Sequence, residues 1–267
     1  MKKYVNSGKF NFLPVLLWTL IGLAAGALIG IAYTFIAYFD PIIYLNLLVL
    51  IGVMIALTWA VVFIVKKSKS RNRGVNLVVT FLICLFAWYA GWTALMAYQF
   101  DAGFFWLLTH PADLFQAGVI YAENIGWTLD GSRIPPEMLK VFYGVEFLAF
   151  FAPMIMVARK KLYYCEFCED FMTPKDYFIP ETDLVAEHLD HIKAGDLAFL
   201  NKLASMPEKM DKEVPAQYKI NLHRCESCGE RIFNFYHLTM KHKKGKVEID
   251  KTVTLVENTY ASRPVRE

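Results

Sequence analysis

Four of the five cysteines fall as two Cys-x-x-Cys pairs, Cys165 and Cys168 in "YYCEFCEDF" and Cys225 and Cys228 in "HRCESCGE". A pair at this spacing forms a knuckle whose thiolates converge on one cation, and two knuckles complete the tetrahedral thiolate set of structural zinc. Gly229, directly after the second pair, suits the turn that such a knuckle requires. Four thiolates leave no open coordination position, so the expected chemistry is structural, with one Zn2+ per chain. Iron in a rubredoxin-like site and paired redox thiols use the same ligands and stay open; either would make the chain an electron-transfer protein. His188 and His191, three apart, read as solvated residues beside a set that is already closed. His223, two residues before Cys225, is a candidate neighbour of the ligands.

Glu146 carries a second possible chemistry, because it lies inside a long apolar run. A carboxylate within a spanning helix costs about 2.5–3.5 kcal/mol on the gentler insertion scale, so it needs a partner or water. At about 1.5 Å per residue it sits roughly 8 Å inside the end of its helix. Thr34, Asn46, Tyr89 and Thr93 fall near the same depth on the other apolar helices, and together they predict one polar layer. That layer reads either as a small cavity that binds a ligand or passes a proton, or as a hydrogen-bonded plug that fixes helix register. Gly22, Gly26 and Gly30 line one helix face at four-residue spacing, a pattern for close backbone approach within the bundle or across a homodimer seam. Cys84 reads as a small buried apolar residue.

The elements that must position these groups follow from composition. The chain has 267 residues, 56% hydrophobic and 15% aromatic, against about 45–50% apolar in ordinary soluble domains. Nearly all the excess lies in residues 12–158, whereas 159–267 are charged throughout. Two domains are predicted: 1–158, a transmembrane four-helix bundle, and 159–267, a small α+β domain resembling a zinc ribbon. Four apolar stretches reach the roughly 20 residues needed to cross a bilayer: about 12–39, 42–65, 75–98 and 141–158. Asp40 and Pro41 leave only a tight turn between the first two. The small residues Ala25, Gly26 and Ala27 mimic a signal-processing site, but the apolar run continues to Phe39, past a signal core of about 7–15 residues.

Lys2, Lys3 and Lys9, the link "KKSKSRNR", and Arg159 with Lys160 and Lys161 place every basic cluster on one side. By the positive-inside rule both termini are expected in the cytoplasm, where thiols stay reduced and metal binding is favoured over disulfides. Residues 99–139 read as an outer interfacial segment, with Trp106 and Trp127 at headgroup level. Between the cysteine pairs, "PETDLVAEHLDHIKAGDLAFLNKLAS" predicts a helical insertion. After Cys228, "RIFNFYHLTMKH" and "VEIDKTVTLVE" predict a β-hairpin around "KKGK". The interval between the pairs far exceeds the 15–20 residues or so of a compact ribbon.

The net charge of +3 is too small to imply a polyanionic partner. The basic tip "KHKKGK" is not interleaved with aromatic residues, so nucleic acid is not an expected partner. No Walker loop, Ser-His-Asp order or H-E-x-x-H motif is visible, and no catalysis is inferred. "YTFIAYFDPIIYLNLL", the basic link, "GVEFLAFFAP" and "YYCEFCEDF" together resemble a loose group of uncharacterised bacterial membrane proteins ending in a cytoplasmic four-cysteine module. That resemblance implies a bacterial inner-membrane protein and no particular activity. The expected role is a membrane-held scaffold that docks a cytosolic protein or a second copy. A small transporter or channel built on the Glu146 layer is the alternative.

Overall fold

The computed structural model describes residues 3–39, 43–125, 128–129, 132–133, 135–159, 162–181, 189–193, 214, 216–243 and 246–260. They form two compact units: Gly8–Lys160, and Met1–Ser7 together with Lys161–Glu267. The first residues of the chain, grouped with the helices on sequence grounds, thus belong with the carboxy-terminal unit.

The helical unit contains α1 (Phe12–Phe39), α2 (Ile43–Lys67) and α3 (Arg73–Gln99). Two short helices follow, α4 (Phe104–Thr109) and α5 (Pro111–Ile120), the latter running on as a wide π-helical turn at Tyr121–Ile125. A two-residue hairpin, β1 (Thr128–Leu129) with β2 (Ser132–Arg133), leads to α6 (Pro136–Phe150) and α7 (Ala152–Arg159). Phe12–Phe39, Leu45–Lys67, Arg73–Gln99 and Glu137–Arg159 are long and apolar enough to cross a membrane. The last of these is bent, because Phe151 leaves helical geometry (ψ 1°) two residues before Pro153. Proline has no N–H to give and its ring opposes the carbonyl four residues back. The chain tightens there instead, with the Met154 N–H donating to the Phe151 carbonyl at 3.0 Å.

Inside the unit, Tyr33, Leu50, Val53, Leu57, Ala87 and Phe150 form one core cluster. Large apolar side chains such as Leu28, Leu48, Trp59, Val141 and Leu148 are exposed on its outside, the distribution that a hydrocarbon solvent permits and water opposes. One end of the unit gathers the basic segments. The Arg71 N–H donates to the Lys9 carbonyl at 3.0 Å, and Arg73 Nη2 donates to the Ala158 carbonyl at 2.7 Å. Asn72 caps α3 there, its Oδ1 accepting from the Val75 N–H at 3.1 Å.

The second unit is built on a four-stranded antiparallel sheet in sequential order: β5 (Thr173–Pro180), β6 (Ala216–Arg224), β7 (Arg231–Lys243) and β8 (Lys246–Tyr260). The predicted hairpin is β7 with β8; β5 and β6 extend it. A small separate hairpin, β3 (Tyr164–Cys165) with β4 (Asp170–Phe171), precedes the sheet. Of the predicted helical insertion, Pro180 ends β5 instead of starting a helix and Glu181 follows it outside any helix, Leu189–Lys193 is a short helix, and residues 182–188, with His188, and 194–205 lie outside the described residues, as do Asp40, Pro41 and Trp127. Alternation of side chains along each strand gives the sheet two different faces. Ile179, Tyr218, Ile220, Phe233 and Phe235 pack on one, with Tyr218 stacked on Phe235 at 5.2 Å. Ile232 packs on the other, in a cluster that contains Cys165 and Cys225.

The three glycines of α1 are all buried and face α3. At Gly22 an added Cβ would meet the Cδ1 of Ile83 at 2.5 Å, the end of a flexible side chain, whereas at Gly30 it would fall on the backbone carbonyl of Ala87. Gly91 of α3 meets Gly30 from the other side, its own missing Cβ lying 2.8 Å from the Gly30 carbonyl oxygen. Overpacking costs typically 1–3 kcal/mol, and Ala gains about 1 kcal/mol over Gly in helix propensity. Gly22→Ala is therefore expected to be near neutral and Gly30→Ala destabilising by about 2 kcal/mol or more. Unfolding titrations in detergent micelles will show the difference; equal effects at both positions would mean that α1 and α3 do not meet at Gly30.

Candidate metal centre

The two knuckles arise from two hairpins. Cys165 ends β3, the turn Glu166–Glu169 carries Cys168, and Glu169 takes the left-handed conformation (φ 51°) that lets β4 return. Pairing of Tyr164 with Phe171 and Cys165 with Asp170 closes this hairpin, and the Met172 N–H donates to the Tyr163 carbonyl at 2.9 Å. The second knuckle is the connection between β6 and β7, which pair up to Arg224 and Arg231. The Cys225 N–H donates to the Glu230 carbonyl at 2.8 Å and the Gly229 N–H to the Cys225 carbonyl at 2.9 Å. Gly229 sits at φ 73°, where a Cβ is strained, so the turn requires this residue.

These hairpins bring all four sulfurs within 4.8 Å of one another. Cys165 and Cys228 are 3.6 Å apart, far beyond a disulfide bond of about 2.05 Å, and all four thiols are free. A tetrahedral ion with metal–sulfur bonds of about 2.3 Å needs sulfurs roughly 3.8 Å apart. The cluster fits such an ion after small side-chain adjustments. Burial pushes the Cys165 thiol up, against the pull of the Cys168 amide, and the Glu230 carboxylate 3.2 Å away pushes the same way. The Glu230 amide, by contrast, holds Cys228 below the ordinary thiol range. Binding of a metal must release the protons of these thiols, so its affinity falls as pH is lowered.

Tyr4, Tyr163, Met172 and Ile232 pack around the cysteines, with Tyr260 against them. Tyr4 arrives from the far end of the chain. Lys3 forms a bridge to Thr259 of β8, the Tyr4 N–H donates to the Asn258 carbonyl at 2.6 Å, and the Tyr4 hydroxyl accepts from the Tyr164 N–H at 3.1 Å. A β-bulge prepares this surface: Phe233 pairs with Thr259 and Phe235 with Val256, so two residues of β8 oppose Asn234 alone. Asn258 takes the left-handed conformation there (φ 53°), which asparagine tolerates. The Asn234 Oδ1 accepts from the freed Asn258 N–H at 2.8 Å, and the Tyr163 hydroxyl donates to Asn258 Oδ1 at 2.5 Å.

His223 packs tilted against Tyr163, ring centroids 4.0 Å apart and planes at 41°, and bonds Asn221 Oδ1 through Nε2 at 2.6 Å. Burial pushes its pKa down to about 4, against the opposing pull of Asp176, so at neutral pH the uncharged ring donates to Asn221. Asn221 in turn donates to Asp176 at 2.7 Å, and Lys219 pairs with Asp176 at 2.8 Å. His223 is therefore a support beside the knuckle. His191 is exposed on the short helix.

In the helical unit, Thr34 and Glu146 line one cavity of about 30 Å3 with Tyr33, Tyr38, Tyr121 and Tyr143. The hydroxyls of Tyr89 and Thr93 are directed elsewhere, Tyr89 to the Leu108 carbonyl at 2.9 Å and Thr93 to the Tyr89 carbonyl at 2.8 Å. Asn46 Oδ1 is buried and has no hydrogen-bond partner among the described residues. The Thr34 hydroxyl likewise donates to the Gly30 carbonyl at 2.9 Å, as Thr hydroxyls in helices do, so what Thr34 and Glu146 share is the lining of one cavity. Cys84 is fully buried among apolar neighbours. His110 stacks on Trp106 at 3.6 Å, in the segment between α3 and α6.

No family model, no characterised protein and no solved structure matches this chain, so the reading of the site rests on its own geometry. Tyr4, Tyr163 and Glu230 surround the cysteines without having been singled out by the sequence. Tyr163 and Glu230 adjoin the knuckles and were within reach of a closer reading, but nothing local marks Tyr4. Loss of its buried ring in Tyr4→Ala is expected to cost about 3 kcal/mol, and loss of the hydroxyl alone in Tyr4→Phe about 1 kcal/mol. Melting of the sheet unit followed by near-ultraviolet circular dichroism checks this; wild-type stability for Tyr4→Ala would detach the amino-terminal segment from the centre.

Proposed function

We propose that this chain is an integral membrane scaffold of a bacterial cytoplasmic membrane. Both termini are cytoplasmic, and a zinc ion clamps the sheet unit into a rigid docking module for a cytosolic protein or a second copy. The observation that carries this reading is the convergence of four thiols from two hairpins onto one point. Structural zinc is worth about 10–16 kcal/mol in small peptides, as much as the whole stability of a domain. Zinc supplies charge and geometry here, while the hairpin turns, the Tyr4 and Tyr163 rings and the asparagine network hold the thiols in place. The exposed Phe167 and the exposed Glu166 and Glu226 of the two knuckle turns are a surface that such a clamp would fix in position.

Elemental analysis of the detergent-purified chain is expected to give one zinc per chain. Cys225→Ser loses both the metal and the β-sheet signal, while the helices stay in the membrane. Iron with a visible absorption band would overturn the structural-zinc reading in favour of electron transfer, and an absence of metal at neutral pH would favour thiol redox chemistry.

The cavity beside Glu146 supports a second reading, a small transporter or channel. Its 30 Å3 or so exceed the 10–15 Å3 or so that one water requires, and a hydrated carboxylate inside a helix bundle is a site for a proton or a small cation. In proteoliposomes with an imposed pH gradient, this reading expects a proton leak that Glu146→Gln abolishes. A leak no greater than that of empty liposomes leaves the cavity a structural feature.

A further inference from the structure

A groove of about 510 Å3 is lined by α3, α5 and α6, in the size range of small-molecule sites. Its walls are mainly apolar, formed by Trp88 and Trp92 of α3 and by Leu114, Phe115 and Val119 of α5. Gly118 keeps it open: a Cβ there would meet nothing closer than Trp92, at 4.0 Å. Polar groups are few and separated along its length. Lys140 of α6 lines it near the start of that helix. The indole Nε1 of Trp88 is buried without an acceptor among the described residues.

The depth of this lining is informative. The end of α3 and the start of α6 flank the same connecting segment, so both lie at one end of the unit. Trp88 is eleven residues before Gln99, about 16 Å along the helix at 1.5 Å per residue. That is half of a hydrocarbon core of about 30 Å. The groove therefore reaches from headgroup level to the bilayer midplane, the span of one leaflet. At its shallow end stands Lys140, which with Arg133 supplies the only Lys or Arg between residues 99 and 158. Lys140 pairs with Glu137 at 3.2 Å, but both side chains are more than half exposed, and a pair of that kind is weak enough to yield to a phosphate.

We infer that this groove holds one anionic phospholipid of the surrounding bilayer, with an acyl chain along the Trp92 and Leu114 wall and the phosphate at Lys140. The inference rests on the membrane location given under Proposed function. The walls match an alkyl chain and Lys140 matches a phosphodiester. A zwitterionic lipid fills the same walls but gains less from Lys140, because a lysine near an anionic surface is worth about a factor of five.

Carbonate-washed membranes come first: a chain that is stripped from them sinks the membrane reading and this proposal with it. For a retained chain, native mass spectrometry is run after exchange into nanodiscs of equal phosphatidylglycerol and phosphatidylcholine. One phosphatidylglycerol bound per chain is expected to survive ejection. Gly118→Leu, which fills the groove, loses it, and Lys140→Gln keeps a lipid while the preference for phosphatidylglycerol falls about fivefold. Val119→Phe, altering a half-exposed wall residue, is expected to weaken retention, and it guards against misfolding of Gly118→Leu. No retained lipid, retention unchanged in both groove variants, a preference untouched by Lys140→Gln, or a second copy of the chain in place of lipid would each overturn the proposal.

Discussion

Four sulfur atoms must meet at one point, and the second unit is arranged around that requirement. The knuckles come from hairpins distant in sequence, so the long interval between them must return β6 alongside β5 before Cys225 can approach Cys165. Pairing of Thr173–Pro180 with Gln217–Arg224 does this. The same sheet separates two kinds of packing. Its aromatic face carries Tyr218, Phe233 and Phe235. Its opposite face carries Ile232, asparagines and the cysteines, held by directional hydrogen bonds.

A different constraint governs the helical unit. Apolar surroundings provide no drive for apolar helices to meet, so close backbone approach has to supply the packing. Gly22, Gly26 and Gly30 accept Ile83 and Ala87, and Gly91 accepts Thr34 and Gly30 in return. Helix α3 is the element on which the rest converges: it lies against α1, contributes to the Glu146 cavity through Trp92 and Leu95, and forms a wall of the larger groove. The perpendicular pair of Trp92 and Tyr143, 4.8 Å between centroids, lines both the polar cavity and the apolar groove. A change in what fills the groove is therefore felt first by the ring pair next to Glu146.

Much of this was legible from residue type and spacing. Long apolar runs leave the chain few alternatives to spanning helices, and Cys-x-x-Cys pairs have few geometries, so four helices and one cysteine cluster follow from pattern alone. The β7–β8 hairpin was visible in "RIFNFYHLTMKH" and its partner run. The strand β5, "TPKDYFIP", was not, because its two prolines and mixed charges hide the alternation that marks a strand. As an edge strand it can carry those prolines. The polar layer was drawn from depth alone, yet depth fixes neither the side of a helix nor the carbonyl that captures a hydroxyl. Thr34 and Glu146 line one cavity, and the hydroxyls of Thr34, Thr93 and Tyr89 all bond backbone carbonyls.

The contact least visible in the sequence constrains the topology most. The Lys3 bridge to Thr259 and the hydrogen bond between Tyr4 and Asn258 place the chain before α1 and the chain after α7 in one folded unit. For any chain that spans a bilayer, entry of both flanking segments into one domain demands an even number of crossings. Four candidate spans satisfy this condition, and the intervening helices α4 and α5, of 6 and 10 residues, are each too short to add a fifth. The basic segments agree by independent means, since Lys9, Arg71, Arg73 and Ala158 are joined by hydrogen bonds at one end of the helical unit. Charge distribution and strand pairing have unrelated physical origins, and both are compatible with an even number of spans. The cysteine cluster is thus lined by Tyr4, from before α1, together with residues after α7, which makes the sheet unit incomplete without the segment that precedes α1.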